Sequence, residues 1–233
     1  MASKITFSIG GIHPNDSKLA RERAIEVLPL PEVVYVSMAQ HLGAPAKPVV
    51  AVGDSVKTGQ VIAEPGGFIS AFVHSPVTGT VKSIGPRKDL AGNNVTHIEI
   101  VRTGEDEWAE GIDLSEDLVT AIPDDREAML ARIKACGVVG LGGATFPTHV
   151  KLNPGPAAKP ECLILNGAEC EPFLTSDYRI LLEQTDKIVV GAAIMQKILG
   201  CRCVIGIEEN KPEAISAMRK ALSELGYANI EVL

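Results

Sequence analysis

The sequence lacks the features that mark several common classes of protein. Its five cysteines are scattered, odd in number and contain no Cys-x-x-Cys pair, which argues against a disulfide framework and against an iron–sulfur or zinc site. No apolar run approaches the roughly 20 residues of a membrane span. No basic stripe offsets the net charge of −7. We therefore expect a cytosolic protein with reduced thiols, without a membrane span of its own and without nucleic acid as a partner.

Two common phosphate-binding motifs are also missing, although one stretch is dense in glycine. Four glycines fall within residues 137–143, but they match neither G-x-G-x-x-G nor the Gly-Lys-Ser/Thr ending of a P-loop. Glycine lacks a Cβ, so its backbone N–H can approach a ligand closely and its φ can be positive. Residues 137–151, here called the glycine loop, are therefore predicted to hold a different ligand. The alternative is an ordinary turn after a helix.

The pattern of the chain predicts two regions of different class. Residues 1–31 are predicted to form an extended arm, and short apolar runs bounded by Gly and Pro over residues 32–103 predict an all-β domain. The acidic residues 104–122 are predicted to be a solvated linker. Strand-like and helical segments alternate over residues 123–233, which predicts βαβ units with a mainly parallel sheet. Because residues 230–232 look like a strand at the very end, we expect this domain to be truncated.

Two turns of the β-rich region, at residues 52–60 and 75–81, resemble the signature turns of biotinyl- and lipoyl-type carrier domains. Those domains fold as a flattened β-sandwich. In the carriers, a lysine on the hairpin between the two turns bears the biotin or lipoyl arm, whereas residues 63–74 contain no lysine. The resemblance implies a barrel-sandwich hybrid fold over residues 32–103 without the carrier function.

Acidic and amide side chains follow two predicted strands of the second region. Asn166, Glu169 and Glu171 come directly after one strand, and Glu209 comes directly after the next. In open α/β sheets ligands bind beyond the carboxyl ends of the strands, so we expect these side chains and the glycine loop to line one binding rim. The alternative is that Glu169 and Glu171 only cap the helix that follows them.

The glycine loop itself carries two further candidate residues. Phe146 beside Pro147 offers a flat aromatic wall, and Lys151 offers a positive charge for a phosphate or a ribose. Neither residue type is specific when it occurs alone. Their value lies in the combination with the acidic segments.

Taken together, residues 140–152, 166–172 and 175–179 resemble the RnfC subunit of the Rnf electron-transport complex. The resemblance begins at Gly10 and covers essentially the whole chain. More distantly, the glycine loop and residues 166–172 resemble the flavin-binding, NADH-oxidising subunit of respiratory complex I. That resemblance implies a Rossmann-like domain that binds FMN non-covalently, with NADH stacking on the flavin and passing it a hydride.

The complex I resemblance also implies roles for particular side chains. The residues implied to contact FMN are Gly140, Gly142, Gly143, Lys151, Asn166, Glu169 and Glu209. Phe146 and Glu171 are implied to face NADH. The complex I protein has an arginine where Leu141 stands and an aspartate where Ala168 stands, so no ligand contact is assigned to these two positions. No metal ligand and no catalytic side chain beyond the cofactor is implied.

The Rnf resemblance implies a peripheral subunit on the cytoplasmic side of a bacterial membrane complex. Such a complex exchanges electrons between ferredoxin and NAD and couples them to ion transport, with other Rnf subunits as partners. Two 4Fe–4S clusters are implied only for the full-length protein, because their cysteine motifs are missing here. The fragment alone is therefore expected to be inactive in electron transfer. The alternatives are a related quinone-reductase or reductase-feeding subunit and a non-catalytic docking scaffold.

Overall fold

A computed structural model describes residues 15–89, 91–155 and 157–233. The first part of the predicted N-terminal arm, including the start of the family resemblance at Gly10, lies outside the described residues. The chain divides into two compact units. Of the described residues, unit 1 contains 15–26, 162–193 and 202–233, and unit 2 contains 27–161 and 194–201.

The first part of unit 2 consists of short strands. These strands are β1 (Val33–Ser37), β2 (Lys47–Pro48), β3 (Ser55–Val56), β4 (Val61–Glu64), β5 (Val73–His74), β6 (Gly79–Lys88) and β7 (Asn94–Arg102). They form two antiparallel sheets, in the order β1-β7-β6-β3 and β2-β4-β5. Buried apolar side chains, among them Ile62, Ile98 and Ile100, form one core cluster. The predicted β-rich region is therefore present.

Two helices follow in unit 2, α1 (Arg126–Ala135) and α2 (Thr148–Lys151). Asp125 caps α1, because its carboxylate accepts the N–H of Ala128 at 3.0 Å. Gly137 ends the helix with a φ of +64°. Leu152, directly after α2, packs with α1 residues in a second apolar cluster. The glycine loop therefore begins and ends on helices that share a core.

Unit 1 contains a parallel sheet in the order β10-β9-β8. Its strands are β8 (Cys162–Asn166), β9 (Arg202–Gly206) and β10 (Ile230–Val232). Its helices are α3 (Ser176–Glu183), α4 (Thr185–Leu199), whose last residues belong to unit 2, and α5 (Pro212–Glu224). The order of β-rich and parallel α/β parts is the predicted one, since parallel strands need helical crossovers.

The helices of the described chain are too short or too polar to cross a membrane.

Candidate functional site

The predicted ligand contacts divide between the two units. Gly140, Gly142, Gly143, Phe146 and Lys151 belong to the glycine loop of unit 2. Asn166, Glu169, Glu171 and Glu209 belong to unit 1, in residues 166–171 and 208–210, here called the acidic rim. Each set is brought together within its own unit.

The glycine loop is closed by backbone hydrogen bonds. The N–H of Gly140 donates to the carbonyl of Phe146 at 2.9 Å, and the N–H of Thr148 donates to the carbonyl of Val138 at 3.0 Å. Residues 141–144 are left as an exposed tip, and their N–H groups donate to no other residue in the described part of the chain. These amides are available as donors for an anionic or polar ligand.

The space around the loop glycines differs from position to position. A Cβ added at Gly142 or Gly143 would meet no atom within 4 Å, although Gly143 has a φ of +100°, which side chains rarely adopt. A Cβ added at Gly140 would lie 3.5 Å from Nζ of Lys151. The packing of the protein therefore does not require glycine at position 142, and the open space is available to a ligand that approaches the backbone.

In the sequence of the glycine loop, Phe146 precedes His149 and Lys151 follows it. Phe146 is half-buried and Lys151 is exposed. Nδ1 of His149 is buried and has no hydrogen-bond partner among the described residues. Burial lowers the pKa of His149, and the positive charge of Lys134 lowers it further. The imidazole is therefore neutral at pH 7. Sequence reasoning did not single out His149, because nothing in its spacing marks it.

The β-rich part of unit 2 supports the glycine loop directly. The N–H of Leu42 donates to the carbonyl of Thr145 at 3.1 Å, and Thr145 has a φ of +48°, which is uncommon for a β-branched residue. A Cβ added at Gly137 would lie 2.4 Å from the carbonyl oxygen of Phe72. The hairpin that bears the lysine in carrier domains is here packed against the start of the glycine loop.

The acidic rim lies at the carboxyl end of the parallel sheet. The N–H of Gly167 donates to the carbonyl of Gly206 at 2.8 Å, which brings together the segments that follow β8 and β9. A Cβ at Gly167 would lie 2.9 Å from that oxygen, so the approach favours glycine. Asn166, Glu171 and Glu209 are exposed at this end of the sheet. This is the edge at which ligands bind in open α/β sheets.

Glu169 differs from the other acidic residues of the rim because it is buried, with 4% of its surface exposed. One carboxylate oxygen accepts the N–H of Asp177, in the first turn of α3, at 2.7 Å. The other oxygen has no hydrogen-bond partner among the described residues and lies 3.9 Å from Nζ of Lys18. Glu169 therefore caps the following helix, as the alternative interpretation of the sequence stated. Its contact with a flavin stays a prediction.

Two lysines of unit 1 were not expected from the sequence. The ammonium group of Lys18 donates to the backbone carbonyls of Glu169, Glu171 and Leu174. Lys211 is buried and donates to the carboxylate of Glu208. Both line a pocket together with Glu169 and Asn210. No motif surrounds either lysine, so only the folded chain identifies them.

The donor set of the glycine loop, taken by itself, fits FMN. Exposed amides at residues 141–144 and the ammonium of Lys151 are donors for phosphate and for flavin oxygens, and Phe146 is an apolar wall. Within unit 1, the exposed Asn166 amide of the acidic rim is a polar group that a ligand can use. Ligand sites commonly combine such an apolar wall with a few polar groups. Over residues 15–89, 91–155 and 157–233, no cluster of three or more His, Cys, Asp or Glu side chains could hold a metal ion.

Two family models match the chain, one in each predicted region. Residues 6–105 match the RnfC barrel sandwich hybrid domain, and residues 133–233 match the Nuo51 FMN-binding domain. The barrel-sandwich interpretation and the FMN-binding domain are therefore confirmed as family assignments.

The chain is also similar to curated RnfC-type proteins along most of its length. One, from the proton-translocating ferredoxin:NAD+ oxidoreductase complex of Clostridium ljungdahlii, is 47% identical over 214 residues, which cover 91% of this chain and 46% of that protein. Another, from the Na+-translocating ferredoxin:NAD+ oxidoreductase complex of Acetobacterium woodii, is 42% identical over 220 residues, covering 91% and 48%. The chain thus spans about half the length of these relatives.

The solved structures that align with part of the chain include a hydrogenase. It is an NAD+-reducing NiFe-hydrogenase in its air-oxidized state, with a TM-score of 0.42 and 21% identity over 47% of this chain and 20% of that one.

Proposed function

Because this chain is homologous to the RnfC subunits of ion-translocating oxidoreductases over 91% of its length, we propose that it contains the FMN- and NADH-binding part of an ion-translocating ferredoxin:NAD+ oxidoreductase. The observation that carries the proposal is the match of residues 133–233 to an FMN-binding domain. Within those residues lie the unpartnered amides of residues 141–144 and the exposed Lys151. The protein is then a flavoprotein subunit that takes part in redox catalysis.

The glycine loop would bind the flavin through its backbone. The amides of Gly142 and Gly143 donate hydrogen bonds to it, and Lys151 neutralises negative charge beside Gly140. The acidic rim contributes the Asn166 amide and the carboxylates of Glu169 and Glu209. Bound FMN supplies the conversion between hydride transfer with NADH and single-electron transfer. The chain's own task is to bind, orient and shield, because the redox chemistry belongs to the cofactor.

NADH would be positioned by two residues outside the flavin contacts. Phe146 is half-buried, so part of its ring is available to the nicotinamide, and Glu171 is exposed. A carboxylate at this place can accept hydrogen bonds from ribose hydroxyls. The 4Fe–4S clusters and the remaining partners of the complex lie outside these residues, and the protein sits at the cytoplasmic side of the membrane without spanning it. The α/β part is Rossmann-like.

An anaerobic titration tests this proposal. FMN is added to the chain and flavin fluorescence is followed, and NADH is then added while flavin absorbance is recorded. Saturable binding of FMN is expected, and a Gly142→Val variant is expected to weaken it at least about tenfold, because the side chain fills the space over the loop. A Gly85→Val variant, with an equally open position in β6, is the control. Absence of saturable FMN binding would contradict the proposal and favour a docking scaffold.

A further inference from the structure

Residues 15–26, here called the N-terminal strap, belong to unit 1 although they precede the rest of it by more than a hundred residues. We propose that Lys18 of this strap is an internal cation that fixes the shape of residues 169–174 of the β8–α3 loop, and thereby positions Glu171. The inference about Glu171 rests on the proposed function, in which its side chain faces NADH. Lys18 is a positioning residue, because it acts through the loop.

The ammonium group of Lys18 has a complete set of acceptors. It donates to the backbone carbonyls of Glu169 at 2.8 Å, Glu171 at 2.8 Å and Leu174 at 2.6 Å. An ammonium carries three N–H donors, so all of them are used. The side chain of Lys18 is only 9% exposed, and the buried carboxylate of Glu169 lies 3.9 Å away. These contacts distinguish Lys18 from an ordinary surface lysine.

The loop has little of its own to hold this conformation. Phe173 has a φ of +69°, which is unfavourable for a residue with a side chain, and the residue is 66% exposed, so it gains little by burial. Three carbonyl oxygens that converge on one point also repel each other unless a cation lies between them. The strap supplies that cation, and the carbonyl of Asp16 accepts the N–H of Phe173 at 2.9 Å.

The strap is itself fixed along α3, so that Lys18 is held in place. The guanidinium group of Arg179 donates to the carbonyl of Arg21 at 3.3 Å. The N–H of Ile25 donates to the carboxylate of Glu183 at 3.1 Å. The guanidinium of Arg21 lies 5.2 Å from the ring centre of Tyr178, within the range of a cation–π contact. These contacts of the strap with α3 therefore hold the ammonium group of Lys18 beside the loop.

Lys18 fixes the backbone of Glu171 but leaves its side chain exposed. A carboxylate on a fixed backbone can meet a ligand without first ordering the loop, and this pre-organisation favours binding. Loss of Lys18 should therefore weaken the binding of NADH more than it slows the steps that follow binding.

Residue-resolved hydrogen exchange on the chain tests the structural part of the inference. In Lys18→Met, the amides of Phe173 and Asp177 are expected to exchange at least about tenfold faster, since one charge-assisted hydrogen bond corresponds to a decade or more. The Gly167 amide, bonded to Gly206, should keep its rate. The control is Lys220→Met, because Lys220 is exposed and its nearest carboxylate is the exposed Glu224 at 3.8 Å.

Chemical rescue distinguishes the loss of the Lys18 ammonium group from a general folding defect of the variant. Lys18→Ala lacks a propylammonium fragment, so added n-propylammonium should slow the exchange of Phe173 and Asp177 again. Tetramethylammonium has no N–H donor and should not. Unchanged exchange in Lys18→Met, equal acceleration at Gly167, or equal effects of both cations would each overturn the inference.

NADH kinetics of the assembled oxidoreductase test the link to Glu171. Lys18→Met is expected to raise the KM for NADH about tenfold with a smaller change in kcat, and Lys220→Met is expected to change neither. Faster loop exchange with an unchanged KM would overturn the link to Glu171. The proposed function is judged separately, by FMN binding to the unsubstituted chain, so the two can fail independently.

Discussion

The glycine loop and the acidic rim are held in shape by different kinds of interaction. The glycine loop relies on backbone hydrogen bonds and on a close approach at Gly137, where no side chain fits. The acidic rim relies on charged side chains, above all on Lys18 and Glu169. One set of proposed ligand contacts therefore depends on space and the other on charge. Substitutions that preserve volume but remove charge should damage only the acidic rim.

The largest expected loss of stability comes from a substitution in the glycine loop, whose shape depends on space. Gly137→Ala should lower the free energy of unfolding by about 3 kcal/mol, because it strains a positive φ and brings a Cβ against the Phe72 carbonyl. Urea unfolding of the chain measures this loss. Gly85→Ala is the matched control, because its Cβ would meet no atom within 4 Å. Equal losses in the two variants would contradict the importance of the close approach.

The next largest loss of stability is expected when a negative charge is removed from the acidic rim. Glu169→Gln preserves the volume of a buried side chain but removes its negative charge beside Lys18. We expect a loss of about 2 kcal/mol in the free energy of unfolding, since hydrogen bonds to charged groups are the stronger ones. The exposed Glu224 provides the control Glu224→Gln. If both glutamine variants unfold at the same urea concentration, charge does not hold the acidic rim.

A smaller loss of stability is expected from removing a helix cap. Helix α1 adjoins the glycine loop, and helix α3 adjoins the acidic rim. Helix α1 is capped by its neighbour Asp125, whereas α3 is capped by Glu169 from eight positions before Asp177. Asp125→Ala should cost about 1 kcal/mol, the usual value for a local cap. Asp124→Ala removes only an exposed ion pair with Lys197, at 2.7 Å, and should cost less because surface ion pairs contribute little. A cost for Asp125→Ala equal to that for Asp124→Ala would show that the cap contributes nothing.

The smallest effect is a difference in pH dependence. Burial and Lys134 lower the pKa of His149 from 6.5 in unit 2. The unfolded chain therefore takes up a proton there before the folded chain does, and stability is lost as the pH falls below about 6.5. In unit 1, Arg179 lowers the pKa of Glu183, so its contribution is lost only below about 4.5. His149→Gln should abolish the decline between these values in pH-dependent urea unfolding.

NMR provides the direct check on His149. Its ring resonances should titrate below the ordinary histidine pKa of 6.5. A midpoint at or above that value would remove the proposed difference between the units.

Much of the architecture could be predicted because it depends on local pattern. The cap at Asp125, the helix end at Gly137 and the parallel strands β8 to β10 follow from residue type and spacing. The roles of Lys18 and Glu169 could not be predicted in the same way. They are 151 positions apart, and no periodicity reports a contact between a single lysine and three backbone carbonyls. The sequence also does not show that Asn166 is exposed whereas Glu169 is buried, because both are polar residues in the same short segment.

Unit 1 is built from segments that lie far apart in the sequence. This separation affects the order in which the protein can fold during synthesis. The N-terminal strap leaves the ribosome first, but the last carbonyl that Lys18 needs belongs to Leu174. All of residues 27–161 are made in between, and they are free to fold as domains do during translation. The strap must remain unpaired over this interval.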